Sequence, residues 1–212
     1  MRMRKKVNRE ARLEKCASLL IDDPLSNKGK WKSVFKNDNP IHLEIGCGKG
    51  GFISQLAARN PDINYIAVEK CVDVIIMAME KIMNFGIKNV FFISGDAGLL
   101  TEIFEKGEIS RIYINFCDPW PKSHHKKRRL THRNFLNIYK NILPCGGEVH
   151  FKTDNRKLFE FSLNEFADCG IKMQNISLDL HAGNFEDNII TEYEKTFSEK
   201  GFPIFRVELV FQ

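Results

Sequence analysis

The sequence has little of what marks a secreted or membrane-bound protein. Its six cysteines are scattered without a Cys-x-x-Cys pair, so neither a disulfide framework nor a typical zinc site is expected, and Cys117 with His124 and His125 lacks a matching second half-site. No apolar run approaches the roughly eighteen residues that a membrane-spanning helix needs. The basic start of the chain is not followed by an apolar segment, as a secretory signal would be. These absences predict reduced cysteines, no bound metal and a cytoplasmic location.

Acidic residues are also missing from one stretch that is rich in cations. Residues 122–133 hold six Lys/Arg and no Asp or Glu, and residues 1–15 hold seven Lys/Arg against two Glu, although the 212-residue chain has a net charge of only +5. The positive charge is therefore concentrated in two patches on an otherwise acidic body. Such patches favour a surface that binds a polyanion, and a solvated tail plus a solvated loop is the alternative.

The order of apolar segments indicates an α/β fold. Five strands and two further strand-like runs are predicted, at 41–45, 65–68, 90–93, 112–116, 148–153, 171–180 and 204–211. Segments with helical spacing separate them, and Thr131 is expected to cap the helix after the basic stretch. This alternation predicts a single domain at 38–212 with a mostly parallel seven-stranded sheet and helices on both faces. Residues 1–37 are expected to form a basic extension with one helix near 9–21.

Acidic residues recur at the predicted carboxyl ends of four consecutive strands, which is where ligands bind in such sheets. A carboxylate after the second strand can accept both hydroxyls of a ribose, and one after the third suits an adenine amino group. A single acid of this kind is usually only a solvent-facing residue, but four in consecutive units indicate a binding site. The four positions are Glu44, Glu69, Asp96 (followed by Ala97) and Asp118.

A glycine-rich turn follows the first of these acids and narrows the choice of cofactor. Its glycines, among them Gly46 and Gly48, let the backbone turn tightly and approach a ligand, and with Gly51 they match the GxGxxG pattern, which is weak by itself. A dinucleotide is anionic and gains little from Glu44 immediately before the turn. S-adenosylmethionine carries a sulfonium and an ammonium group, which a ring of carboxylates suits. The acidic site therefore favours S-adenosylmethionine over NAD.

The chain resembles the bacterial tRNA (guanine-N7)-methyltransferases over residues 35–212. The resemblance rests on motifs distributed along the chain: EIGCGKG (44–50), AVE (67–69), GDA (95–97), FCDPWPKSHHKKRRL (116–130), FKTDN (151–155) and TEYEKTF (191–197). It implies a Rossmann-like class I S-adenosylmethionine-dependent methyltransferase domain. The implied reaction forms 7-methylguanosine at position 46, in the variable loop of tRNA.

The resemblance also implies a role for individual residues. The cofactor would contact the acidic and glycine positions Glu44, Gly46, Gly48, Glu69, Asp96, Ala97 and Asp118. The substrate nucleotide would contact Lys122, Asp154, Thr191, Glu192, Tyr193 and Glu194. The tRNA would contact His124, His125, Lys126, Lys127, Arg128 and Arg129.

The chemistry of guanine N7 defines what a catalytic residue has to do. N7 offers a neutral lone pair, so methyl transfer is an in-line displacement that needs no general base, and His124 and His125 are expected to bind RNA only. Asp118 is expected to position the reactants and to stabilise the positive charge that the purine gains. Trp120 would either stack on the purine or pack under the loop. Three alternatives are methylation of another RNA position, RNA binding without catalysis, and an NAD-dependent oxidoreductase, and the chain could act as a monomer or a homodimer.

Overall fold

The structure is a computed structural model, and it describes residues 8–183, 185 and 188–212. The helices in this part of the chain are α1 (Arg9–Lys15), α2 (Trp31–Phe35), α3 (Gly51–Arg59), α4 (Val72–Asn84), α5 (Leu100–Ile103), α6 (Arg133–Ile142), α7 (Arg156–Asp168) and α8 (Glu192–Ser198). The strands are β1 (Ile41–Ile45), β2 (Asn64–Glu69), β3 (Val90–Ser94), β4 (Arg111–Asn115), β5 (Glu148–Thr153), β6 (Lys172–Ser177) and β7 (Phe205–Val210). Each predicted strand is confirmed within a few residues.

The seven strands form one sheet in the order β3-β2-β1-β4-β5-β7-β6. Strands β1 to β5 pair in parallel, and β7 is antiparallel to both of its neighbours. The chain moves outward from β1 to β3 and then returns to place β4 on the other side of β1. The carboxyl ends of β1 and β4 therefore meet at the point where the strand order reverses, which is the usual ligand site of such sheets.

Alternating side chains of the strands feed two separate cores, as period-two strand geometry requires. Leu43 of β1 and Ile66 of β2 point to the face that is covered by α2, α5, α6 and α7. The neighbouring Tyr65 and Ala67 of β2 point to the opposite face, which α3 and α4 cover. The predicted helices on both faces are thus confirmed, and burial of these two apolar layers holds the strand ends in fixed relative positions.

Residues 8–37 pack against the domain instead of extending from it. Arg12 of α1 binds Glu80 of α4 through two hydrogen bonds of 2.6 and 2.5 Å. The indole of Trp31 is fully buried and donates to the carbonyl oxygen of Ile103 at 3.0 Å. The basic residues 1–7 lie outside the described residues, so their part in the predicted extension stays a prediction.

Two predicted helix boundaries are wrong. The helix expected near 9–21 ends at Lys15, because the chain then passes beside β3, where the amide of Ile21 donates to the Phe92 carbonyl oxygen at 2.9 Å. The N-cap of α6 is His132, whose Nδ1 accepts from the amide of Asn134 at 3.2 Å. Thr131 is instead buried, and its hydroxyl accepts a hydrogen bond from Ser162 of α7 at 2.7 Å.

Candidate active site

Glu44 lies at the end of β1 and is almost fully buried, with 2% of its surface exposed. Its Oε1 accepts a hydrogen bond from the Asn115 side chain of β4 at 3.3 Å, whereas no partner of Oε2 is found among the described residues. Burial raises the pKa of Glu44 to about 7, and the hydrogen bond from Asn115 and the charge of Lys152 oppose that rise only in part. A buried carboxylate oxygen without a partner is costly, and it suits a cationic group of a ligand.

The glycine-rich turn after Glu44 is shaped for a ligand. Gly46 and Gly48 have φ angles of 76° and 54°, which residues with a Cβ rarely adopt. A Cβ built on either glycine would have no described atom within 4 Å beyond its chain neighbours, so both face open space. Glu69 supports the turn, because its two carboxylate oxygens accept from the amides of Gly48 at 3.2 Å and Cys71 at 3.0 Å. Each of these oxygens retains a lone pair for a further donor.

Asp96 occupies the corresponding position after β3. Its carboxylate accepts from the amide of Gly98 at 2.8 Å and pairs with Lys70 at 2.7 Å. These contacts, the hydrogen bond from Lys70 first, lower the pKa of Asp96, which is therefore ionised at neutral pH. Ala97 follows in a short 3₁₀ turn and is buried, so its backbone closes this side of the site.

Two cavities adjoin this edge of the sheet, and Gly46 and Phe116 line both of them. Phe116 follows β4 with a φ angle of 54°, so the chain turns sharply between the cavities. The first has a volume of about 630 Å³ and is lined by residues that include Glu69, Asp96, Ala97, Asp118, Trp120, Lys127 and Arg128. The second has a volume of about 490 Å³ and is lined by residues that include Glu44, Gly48, Asn115, Thr191, Glu192 and Tyr193.

The turn from Asp118 to Trp120 forms the wall between the sheet and the basic segment, residues 122–129. Asp118 is exposed at the first cavity, and Trp120 has the unusual φ angle of 42°. The Trp120 ring packs edge-on against His125, with 5.6 Å between ring centres, and Arg128 lies 5.0 Å from the ring centre. The indole therefore packs with the basic segment, while it also lines the cavity.

The basic segment folds into a 3₁₀ helix at Ser123–Arg128. Lys122, His124, Lys126 and Lys127 are exposed, and the His124 and His125 rings lie 4.1 Å apart. Arg129 is different, because its guanidinium donates to the carbonyl oxygens of Pro119 and Trp120, each at 3.0 Å. The structure thus turns most of the predicted RNA-binding cations outward and one of them inward.

The segment predicted to bind the substrate nucleotide lies at the start of α8, beside the second cavity. Thr191 caps the helix by accepting from the amide of Glu194 at 3.0 Å. The Tyr193 ring lies 5.0 Å from that of Phe116, and its hydroxyl donates to Asp154 at 3.4 Å. Glu192 is exposed and pairs with Lys81 of α4 at 3.0 Å. Thr191, Glu192 and Tyr193 therefore reach the cavity, and Asp154 stands next to them.

Glu194 is the exception in this segment, because none of its surface is exposed. Its carboxylate pairs with Lys152 of β5 at 2.8 Å, and it also lies 3.1 Å from His181 and accepts from Asn188 at 2.7 Å. Lys152 donates to the Ile189 carbonyl oxygen at 3.1 Å as well. Glu194 therefore holds the start of α8 against β5 and does not face the cavity.

Lys152 lies at the site, although the sequence motifs did not single it out. Its ammonium lies 5.5 and 5.8 Å from the ring centres of Phe52 and Phe116, both of which line the second cavity. Burial lowers the pKa of Lys152, and the charge of Glu194 opposes this. Lys152 follows Phe151 near the end of β5, and a lysine is rarely buried without a partner, so its position in FKTDN was an available signal.

A third cavity of about 730 Å³ lies along β1, β4, β5 and β7, and Asn115 and Lys152, near the carboxyl ends of β4 and β5, line it as well. Its polar groups largely bind one another: Arg111 pairs with Glu148 at 2.6 Å, and His150 lies 2.9 Å from the same carboxylate. Burial lowers the pKa of the nearby His42 to about 3. Arg111, Glu148 and His150 thus pair with one another, whereas the buried Tyr65 hydroxyl, which also lines this cavity, has no hydrogen-bond partner among the described residues.

The described residues lack the features of a metal site, a reactive thiol at Cys117 and a membrane-spanning helix. No group of three or more His, Cys, Asp or Glu side chains there could hold a metal ion. Burial raises the pKa of the Cys117 thiol to about 12, which keeps it protonated. No helix within residues 8–183, 185 and 188–212 is long and apolar enough to cross a membrane.

The chain is similar to known methyltransferases over its whole length. A family model described as "Putative methyltransferase" matches residues 38–207. The chain is 51% identical over 211 residues to the tRNA (guanine-N(7)-)-methyltransferase of Listeria monocytogenes serotype 4b, covering 100% of this chain and 99% of that protein. It is 51% identical over 209 residues to the protein of the same name from Bacillus subtilis, covering 99% and 98%. A solved S-adenosylmethionine-dependent methyltransferase from Aquifex aeolicus shares the fold, with a TM-score of 0.58, 15% identity and coverage of 98% of this chain and 100% of that chain.

Proposed function

Because the chain belongs to the tRNA (guanine-N7)-methyltransferase family, we propose that it transfers a methyl group from S-adenosylmethionine to N7 of a guanosine in tRNA, at position 46 of the variable loop. The observation that carries this proposal is the arrangement at the strand ends. Glu44, Glu69, Asp96 and Asp118 surround two adjoining cavities, and the outward-facing basic segment lies directly beside them.

The residues present fit S-adenosylmethionine. The unpartnered Glu44 Oε2 suits the ammonium group, Glu69 has lone pairs left for the ribose hydroxyls, and Asp96 can accept from the adenine amino group. Gly46 and Gly48 leave open space where side chains would otherwise project. When bound, the cofactor supplies an electrophilic methyl group on a sulfonium.

Asp118 is the proposed catalytic residue. Guanine N7 presents its lone pair without losing a proton, so the reaction does not need a general base. The purine becomes more positive as it is methylated. A carboxylate fixed at the first cavity, near Phe116 where the two cavities adjoin, stabilises that charge without reorganising. Arg129 holds the turn that carries Asp118 through its hydrogen bonds to the Pro119 and Trp120 carbonyl oxygens, and β4 leads into the turn from the other side. Positioning of this kind is expected to supply most of the acceleration.

The α8 side of the second cavity is the proposed guanine site, and Glu44 and Gly48 on its other side belong to the proposed cofactor site. Asp154, Glu192 and Thr191 offer acceptors for the N1–H and the exocyclic amine, which guanine has in a pattern that adenine lacks. Tyr193 supplies an aromatic face beside Phe116. Glu194 acts from below this site, by holding the start of α8 against Lys152. Its contribution to substrate binding is therefore indirect.

The basic segment is the proposed tRNA contact. Lys122, His124, Lys126 and Lys127 are exposed next to the cavities, His125 packs against Trp120, and Arg128 lies at the cavity rim. Contacts of Lys and Arg to phosphate are sequence-independent and weaken with salt. We place the enzyme in the cytoplasm, where it acts on tRNA as a monomer or a homodimer.

Incubation with S-adenosylmethionine carrying a labelled methyl group and unmodified tRNA tests the proposal. The label is expected at one variable-loop guanosine, detected by chain cleavage at 7-methylguanosine. Transfer to another base or another RNA would favour a methyltransferase of different specificity. Binding of tRNA without any transfer would favour an RNA-binding protein that has kept the fold, and either result would refute the assigned reaction.

A further inference from the structure

Arg129 differs from the other cations of the basic segment in what its guanidinium contacts. Its Nε donates to the Pro119 carbonyl oxygen and its Nη2 to the Trp120 carbonyl oxygen, both at 3.0 Å. The guanidinium carbon also lies 4.3 Å from the centre of the Phe161 ring on α7. Arg129 is partly buried, whereas Lys126 is exposed. Donors that would otherwise bind a phosphate are thus already directed into the protein.

The two carbonyl groups flank a strained residue. Trp120 has a φ angle of 42°, in the left-handed region that is unfavourable for a bulky side chain and persists only where the surroundings impose it. The planar guanidinium is suited to this task, because its donors are arranged as a rigid fork that can engage both carbonyls at once. Phe161 supports the fork from the other side. Arg129 therefore joins α7 to the turn that begins with Asp118.

We propose that Arg129 is a positioning residue that fixes the Asp118–Trp120 turn and thereby holds the Asp118 carboxylate at the cavity, instead of binding tRNA phosphate. The role of Asp118 rests on the proposed function, but the clamp on the turn is independent of it. The basic segment then has two sides: an outer one for tRNA and an inner one, at Arg129, for the active-site turn.

The variants Arg129→Lys and Arg129→Met separate the two roles. A lysine keeps the charge and would largely replace a phosphate contact, but its single ammonium cannot reproduce the guanidinium fork or its packing on Phe161. Both variants are expected to lower kcat by about tenfold to a hundredfold, since a misplacement near 1 Å can cost on the order of a hundredfold. The salt dependence of tRNA binding should stay unchanged in both, whereas Lys126→Met should lower its slope by roughly 0.7–0.9. Lys140→Met, an exposed change on α6, is the control with unchanged kcat.

Acrylamide quenching of tryptophan fluorescence measures how accessible the turn is to solvent, and it does not depend on methyl transfer. The chain has two tryptophans, and Trp31 is fully buried, so the quenchable emission reports on Trp120. Both Arg129 variants should increase quenching, while Lys126→Met should not. The proposal would be overturned if Arg129→Lys kept the kcat and the quenching of the wild type. A lowered salt slope of tRNA binding in Arg129→Met would overturn it as well. If Arg129→Met does not fold, Arg129→Lys decides alone; if the wild type does not methylate tRNA, the proposed function fails and the quenching result still tests the clamp.

Discussion

Glu44 should make cofactor binding depend on pH near neutrality. Its pKa lies near 7 in the free protein because it is buried. Lys152 of β5 and Glu69 of β2 are the charged groups that act on it, and the Asn115 side chain and the Ile53 backbone amide donate hydrogen bonds that oppose the rise. Only the ionised carboxylate attracts an ammonium, so binding must release the proton that Glu44 carries at lower pH. Below pH 7, the Kd should therefore rise about tenfold for each unit of pH, which corresponds to 1.36 kcal/mol.

Calorimetric titration with S-adenosylhomocysteine, which keeps the ammonium group and lacks the methyl, measures this effect. We expect a Kd about tenfold higher at pH 6 than at pH 8. Titrations in buffers with different ionisation enthalpies should also show the release of about half a proton near pH 7. Glu44→Gln should bind weakly with a flat pH profile between pH 6 and 7. A wild-type Kd that is independent of pH in this range, or a Gln variant that keeps the full dependence, would refute the reasoning.

The same carboxylate should make the unliganded protein less stable as the pH rises. The pKa of Glu44 in the folded state lies above its ordinary value of 4.5, so its protonation stabilises the fold below pH 4.5 and this contribution is lost as the pH rises through 7. The shift corresponds to about 3 kcal/mol. Glu44→Gln should therefore unfold at a higher denaturant concentration than the wild type at pH 8 and at a similar one at pH 5. A Gln variant that is less stable at pH 8 would contradict the assigned cost of the buried charge.

Three further tests concern the catalytic carboxylate, the buried ion pair and the basic segment. Asp118→Asn should lower single-turnover methylation by about 10²–10³-fold, as expected for loss of one preorganised electrostatic group, with tRNA affinity in filter binding nearly unchanged; an equal loss of affinity would argue against a catalytic role. Lys152→Met and Glu194→Gln should each cost about 3–5 kcal/mol in urea unfolding, because each removes one partner of a buried ion pair, and the double variant should cost less than their sum; additive costs would show that the two are not coupled. Replacing Lys126 and Lys127 by Ala should lower the salt slope of tRNA binding by about 1.4–1.8; an unchanged slope would remove this segment from the tRNA contact.

Much of the fold follows from local pattern. The period-two alternation of β2, with Tyr65 and Ala67 on one face and Ile66 and Val68 on the other, is visible in the sequence and agrees with the two cores. Helix ends were harder to predict, because Thr131 is an excellent N-cap residue whose hydroxyl is taken by Ser162, a residue 31 positions away. Local propensity does not register a competing partner of that kind.

Chain order by itself determined that carboxylates would stand at consecutive strand ends beside a basic segment, because parallel strands bring their carboxyl ends to one edge whatever their exact packing. It could not determine which way a charged side chain points. Arg129 follows Arg128 directly, yet one turns to the Pro119 and Trp120 carbonyls and the other to the cavity rim. Glu194 stands next to Tyr193, yet only the glutamate is buried against Lys152. Burial and partner geometry are properties of the folded chain, and they decide whether a charge recognises a ligand or holds the protein that does.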